Sequence, residues 1–292
     1  MLRILLDEMR DFAKRFIILF CNTGKERNAT LDFVREMQNR WGVEVIWLEY
    51  TRVPAIEIDP MVYPHPKSQK TVREQQEKGL DTHWFRVVNY ETARRNGTRG
   101  PFDELLDWAN VLPNIQARYC TVQMKVRTMM RYMFSLGCYE WVDHIGIRAD
   151  EAHRALEIKA NAPKYRPAVF PLISRGVTEK DVTRFWQGQD FDLQLQPHEG
   201  NCDLCFLKAK HKRLMLMRDN PGMADWWIEK ERVFAGKATG DGAFFRIGQG
   251  YAKLLRKSVG FVHEEQTGLD FDIPCGCGDK GFVLNETENY EL

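Results

Sequence analysis

The chain has 292 residues, 43% of them hydrophobic and 28% charged, with a formal net charge of +1. This is the profile of an ordinary globular protein that can bury a substantial core in one large domain or two small ones, rather than of a disordered or supercharged chain. Bulk charge predicts no partner. No stretch approaches the ~20 apolar residues needed to cross a bilayer, and MLRILLDEMRDFAKRF at the N-terminus carries charges every few positions instead of the apolar core of a signal peptide. A cytoplasmic protein with no membrane partner is therefore expected. Its seven cysteines are expected to be free thiols or metal ligands, since an odd count in a reducing compartment argues against a disulfide framework.

Taken in chain order, residues 2–15 place Leu2, Leu5, Met9, Phe12 and Ala13 at helical spacing, and RFIILFCNTG (15–24) follows as a short apolar run ending in glycine, as a buried parallel strand does. ATLDFVREMQNRWG (29–42) has helical spacing and a stop at Gly42; VEVIWLEY (43–50) is β-branched and aromatic. Helix, strand, helix, strand implies right-handed crossovers and a parallel sheet covered by helices on both faces. Residues 51–100, richer in Pro, Gly and charge, read as a lid or insertion with short elements only, before a helix near 102–112. TVQMKVRTMMRYMFSLG (121–137) is an amphipathic helix whose methionines suit core packing, and 140–151 resumes the strand-to-loop pattern. From Thr178, a plausible N-cap with acidic residues behind it, the chain turns helical, through 203–219, 221–235 and 248–257. The Gly- and charge-rich tail 270–292 suits no regular element. No internal repeat or low-complexity linker is present, so one α/β domain with a helical C-terminal portion is expected, divided near residue 200 into 1–200 and 201–292.

In an open parallel sheet, ligands bind beyond the carboxyl ends of the strands. That directs attention to CNTGKERNAT, with Asn22, Thr23, Gly24, Lys25, Glu26 and Arg27, and to GIRADEAHRA, with Arg148, Glu151 and Arg154. Backbone amides and arginine forks there suit the phosphates of a nucleotide; equally, the arginines of the second loop suit a surface network with Glu151 and nearby carboxylates. KAKHKR (208–213) reads as a solvated helix face or a contact for phosphate or tRNA.

Together these stretches resemble the phosphoadenosine phosphosulfate (PAPS) reductase family, within the PP-loop ATP pyrophosphatases and adenine nucleotide alpha hydrolases. NTGKERNATLDFV is similar to the family's Thr-Gly turn and following helix, CTVQMKVRTM to its Cys followed five residues on by Lys (Cys120, Lys125), and GIRADEAHR to its Gly-x-Arg-x-x-Glu-x-x-Arg stretch. FPLISRGVTEKDVTRF resembles its Pro-Leu segment, and HEGNCDLC its late Gly-x-Cys-x-x-Cys. The likeness runs in family order from about residue 16 to 210. It implies a three-layer α/β/α, Rossmann-like fold and an adenine nucleotide, ATP or a sulfonucleotide, bound between the two loops. The family's Ser-Gly-Gly-x-x-Ser loop and the strand before it do not occur in the chain, so a sheet lacking its usual first central strand is expected.

The resemblance also implies a cofactor. In a subset of the superfamily, a cysteine before the Lys-bearing helix and a later C-x-x-C hold a 4Fe-4S cluster, and Cys120, Cys202 and Cys205 fall on those positions; Tyr119-Cys120 stands where the adenylyl-sulfate reductases have a Cys pair. The fourth ligand is expected to be Cys275 or Cys277, or else an open iron that takes sulfide as in tRNA-thiolating relatives. Zinc competes, because thiolates suit it equally. The expected function is sulfonucleotide reduction or ATP-dependent sulfur transfer, with tRNA or DNA as conceivable acceptors and a homodimer as a conceivable assembly. The alternative is a non-catalytic nucleotide- or nucleic-acid-binding accessory factor of a phage or mobile element on the same scaffold.

Overall fold

A computed structural model describes residues 1–8, 16–196, 198–200, 202–237 and 243–262. The first elements follow the apolar pattern: α1 (Leu2–Glu8), β1 (Ile18–Asn22), α2 (Asn28–Trp41) and β2 (Val45–Pro54). Helix α2 ends where glycine allows it, with Gly42 at φ 61° and its N–H donated to the Gln38 carbonyl. β1 and β2 pair in parallel from Ile18–Val45 to Asn22–Glu49, as a helical crossover requires.

The segment after β2 corrects the expectation of a lid with short elements only. It holds the 12-residue helix α3 (Pro66–Glu77) and the eight-residue strand β3 (Asp81–Val88). β3 is antiparallel to β2, with Trp47 opposite Val88 and Pro54 opposite Asp81. The connection returns to its starting point, since Ala55 N–H donates to the Leu80 carbonyl; the excursion through α3 is thus a hairpin insert and not a crossover. The sheet is consequently mixed, in the order β1-β2-β3, and not wholly parallel.

Helix α4 (Pro101–Ala109) follows, opened by proline in its first turn and closed by Asn110 at φ 55°. The amphipathic stretch after it forms α5 (Tyr119–Thr121), a π-helical segment Val122–Arg127 and α6 (Thr128–Ser135). β4 (Asp143–His144) and β5 (Ala168–Val169) form a separate parallel pair linked by α7 (Ala152–Asn161). No ladder joins this pair to β1 among the described residues; Phe16, just before β1, lies edge-on to His144 at 5.6 Å. Helix α8 (Pro171–Ser174) and α9 (Glu179–Gln187) come next, and α9 is capped as its sequence predicts: Asp181 accepts from the N–H and hydroxyl of Thr178 at 3.0 and 2.6 Å.

The C-terminal portion contributes α10 (Lys210–Asp219), α11 (Asp225–Ala235) and α12 (Tyr251–Ser258). The largest core cluster joins Tyr50, Phe102, Leu105 and Met124 to Leu204, Phe206, Trp227, Phe245 and Tyr251. Residues before and after position 200 therefore share one apolar interior, and the fold is mixed α/β with a small sheet that includes parallel strands. No described helix is long and apolar enough to cross a membrane.

Candidate functional site

The loop 22–27 leaves the carboxyl end of β1, where the sequence places it, but its side chains turn inward. Asn22 donates to Glu49 Oε1 at 2.6 Å and to the Arg94 carbonyl at 2.9 Å, and its own Oδ1 accepts from Gly24 N–H at 3.1 Å. The Thr23 N–H and hydroxyl both donate to the Glu26 carboxylate at 2.8–2.9 Å. Gly24 is held at φ 75°, and a Cβ there would lie 2.9 Å from Pro101 Cδ; glycine is needed for both reasons. Lys25 and Glu26 are only 1% and 3% exposed. Arg27 alone of the loop's charged groups is half-buried, paired with Glu199 at 2.5 Å.

Lys25 is the centre of a polar cluster that the sequence does not advertise. Its Nζ donates to Asn96 Oδ1 at 3.0 Å and sits 3.9 Å from the centre of the Trp226 ring. Asn96 in turn donates to Asp203 Oδ2 at 2.7 Å, and Trp227 Nε1 to Asp203 Oδ1 at 3.2 Å. Beside them Asp103 accepts from Lys230 at 2.6 Å and Trp226 Nε1 at 2.9 Å. Burial pulls the Lys25 ammonium below the usual lysine range, against the attraction of Asp203, Asp103 and Cys202. Burial likewise pushes the Asp203 carboxyl up, against the Leu204 N–H and Lys25. Both groups are thus shifted towards neutrality, as desolvation of buried charges demands.

The cluster brings the two motifs of longest separation together. Glu26 and Cys202 form an antiparallel bridge, and Asp203 N–H donates to the Lys25 carbonyl at 3.0 Å. Lys208 Nζ holds the Cys202 carbonyl at 2.7 Å. Cys120 and Cys205 both pack against the large core cluster, and none of Cys21, Cys120, Cys138, Cys202 and Cys205 is in a disulfide. Lys125 lies in the π-helical segment, and its carbonyl accepts from Cys21 Sγ at 3.7 Å, which places that helix beside the end of β1. Among the described residues no three His, Cys, Asp or Glu side chains gather closely enough to hold a metal ion. Cys275 and Cys277 lie outside the described residues.

The second loop stands beyond β4 and carries its own ion network. Arg148 reaches Asp150 at 3.3 Å, Glu151 at 3.4 Å and Glu179 at 3.8 Å, and Arg154 pairs with Glu151 at 2.6 Å. Ala149 N–H donates to the Val177 carbonyl at 2.9 Å, so the Gly-x-Arg loop and the Pro-Leu segment meet. The stretch KAKHKR is not a solvated face: Arg213 is wholly buried, with Nε donating to the Lys208 carbonyl at 3.1 Å.

Sequence reasoning missed Glu49, Arg94, Asn96, Asp103 and Asp203. A signal was legible for Glu49: a carboxylate inside the apolar run VEVIWLEY must be paired when that strand is buried.

No family model matches the chain, and no solved structure matches it. Over 241 residues, 81% of the chain, it is 28% identical to an uncharacterized nin region protein, ORF290, of Escherichia phage lambda, and the match covers 69% of that protein.

Proposed function

We propose that the chain is a PAPS reductase-like protein of sulfur metabolism that binds an adenine nucleotide and carries out sulfonucleotide reduction or ATP-dependent sulfur transfer. The observation that carries this reading is convergence. The loop after β1, the helix bearing Cys120 and Lys125, and the Cys202–Cys205 segment meet at one end of β1 although they are distant in sequence. On this reading the two sheets are the halves of one Rossmann-like layer, and β1 and β4 flank the position of the family's first strand. Arg148 is the phosphate contact we favour. Its partners are spread over three carboxylates at 3.3–3.8 Å rather than one tight fork, so a phosphate can compete for the guanidinium; Arg154, Lys125 and Arg27 complete the anion-facing set, while Asn22, Thr23, Gly24, Lys25 and Glu26 hold the loop in place.

With the nucleotide goes a 4Fe-4S cluster, or a zinc ion in its stead, held by Cys120, Cys202, Cys205 and one of Cys275 and Cys277. The described thiols alone do not gather into such a site, which makes metal content the discriminating measurement. Anaerobically purified protein should be brown, with iron and acid-labile sulfide that Cys202→Ala abolishes. Stoichiometric zinc in colourless protein would replace the cluster by a structural site, and metal-free protein that still folds would reject the shared ligand set.

A second reading is a non-catalytic nucleotide- or nucleic-acid-binding accessory protein. It is favoured by the inward closure of Lys25 and Glu26 and by the likeness to a phage protein.

A further inference from the structure

The end of α2 and the end of α9 meet in a cluster of aromatic rings that the nucleotide reading leaves unused. Trp41 and Trp186 lie nearly parallel, 11° apart with ring centroids at 6.0 Å. Phe33 stands edge-on to Trp186 at 5.1 Å, and Phe191 edge-on to both Trp41 and Trp186, at 6.1 and 5.5 Å. Phe185 meets Trp186 in the same manner at 5.0 Å. In a core such rings would be closed over on every side. Here Trp41, Phe185 and Phe191 line an open cleft of about 470 Å³, a size within the range of small-molecule sites. Trp186, which packs on all three, holds these walls in place before any ligand arrives.

The rest of the lining is polar and electrically balanced. It consists of Gln189 and two arginine–aspartate pairs, Arg3 with Asp7 on α1 and Arg40 with Asp190 across the cleft from α2 to the segment after α9. Arg40 also pairs with Glu36 and lies over the Phe191 ring, 5.1 Å from its centre, so its guanidinium is part of the wall. An anion entering the cleft would have to displace an aspartate from its arginine, and a cation would have to displace an arginine. An aliphatic ligand would cover the polar rim without meeting its donors and acceptors. The lining therefore suits a flat, uncharged molecule with a polar edge, whose faces stack on the rings while Gln189 and the paired charges meet its donors and acceptors.

We propose that this cleft is a second binding site, for a nucleobase carried by a free nucleoside. A nucleobase is such a molecule, and base–aromatic stacking tolerates any base because each has a π-face. A base carried by single-stranded nucleic acid would need a basic track for its phosphates, which this balanced rim does not supply. The cleft lies one length of α2, 14 residues or about 20 Å, from the loop after β1. It stands or falls without the nucleotide assigned there.

Equilibrium dialysis of the full chain against adenosine, indole and single-stranded oligoadenylate tests this. Wild type should bind adenosine saturably. Phe185, 37% exposed, can be truncated with little effect on the fold, and Phe185→Ala should weaken adenosine roughly tenfold; an unchanged affinity would overturn the site, as would no saturable binding in wild type. Adenosine lacks the phosphates assigned to Arg148, so Arg148→Ala should leave its binding unchanged. Binding lost in Arg148→Ala and kept in Phe185→Ala would move the ligand to the nucleotide loops and overturn the cleft. Indole bound as tightly as adenosine would overturn the base assignment. Oligoadenylate bound far more tightly, with an affinity that falls steeply with salt, would overturn the free nucleoside as the source. Should Phe185→Ala fail to fold, Gln189→Ala decides, with a loss of roughly fivefold expected and an unchanged affinity refuting the proposal.

Discussion

Replacing Glu49 by alanine removes the group that fixes the loop after β1. The carboxylate is fully buried and accepts from Asn22 Nδ2 at 2.6 Å, from Arg94 N–H and Nε at 2.7 Å each, and from Arg86 Nη2 at 2.8 Å. Breaking a buried pair from one side costs about 3–5 kcal/mol. Arg94 keeps Glu104 and the Tyr50 carbonyl as partners, and Arg86 is about half exposed, so its contact contributes little. Both facts place Glu49→Ala near the lower end, about 3 kcal/mol, or a fall of roughly 1 M in the urea midpoint. The pH dependence supplies a second check. Burial alone would raise the Glu49 carboxyl, but the bonds from Arg86 and Arg94 outweigh it and hold it below the usual range. Such a group stabilises the fold above its unfolded pKa of about 4.3 and stops doing so as pH falls through its folded value, so wild type and Glu49→Ala should converge in acid. A midpoint within roughly 0.3 M of wild type at neutral pH would refute the reasoning.

Gly24→Ala should cost about 1–3 kcal/mol, because a left-handed backbone and a Cβ 2.9 Å from Pro101 Cδ are penalised together; a chemical-denaturation midpoint equal to wild type would contradict the close approach. Glu231, beneath the start of α12, accepts from Tyr251 N–H at 2.7 Å, and burial pushes its carboxyl up to about 7. An acid raised in the folded state binds more protons there than in the unfolded chain, so stability should decline as pH rises from about 4.5 to 7. Glu231→Gln should flatten that decline, and identical stability profiles for the two forms over this range would remove Glu231 from the account.

Much of the architecture is legible because its signals are local. Gly42 stops α2, Thr178 and Asp181 open α9, and VEVIWLEY runs into the first part of β2, each as the residue types require. β3 was not legible: DTHWFRVV sets two aromatics side by side and leaves Val87 exposed, which blurs the alternation that identifies a strand. The parallel expectation failed at the same place, since direction depends on whether Leu80 returns to Ala55, a long-range fact. In the site, NTGKER reads as a charged turn presented to a ligand. Lys25 instead points inward because Asn96, Asp203 and Trp226 are waiting for it, and nothing within the loop announces partners contributed from so far along the chain. Arg213 illustrates the same limit, looking like one more cation in a solvated run while lying wholly inside.

The central claim, an adenine nucleotide gripped by Arg148, is tested most directly by calorimetric titration of the full chain with ATP, AMP and GTP, in wild type and Arg148→Ala. Charge-assisted contacts to phosphate are worth about 1.5–3 kcal/mol, so the account predicts saturable binding of an adenine nucleotide that Arg148→Ala weakens by roughly tenfold or more, with GTP bound less well. No heat of binding with any of the three, or an affinity that Arg148→Ala leaves unchanged, would contradict it.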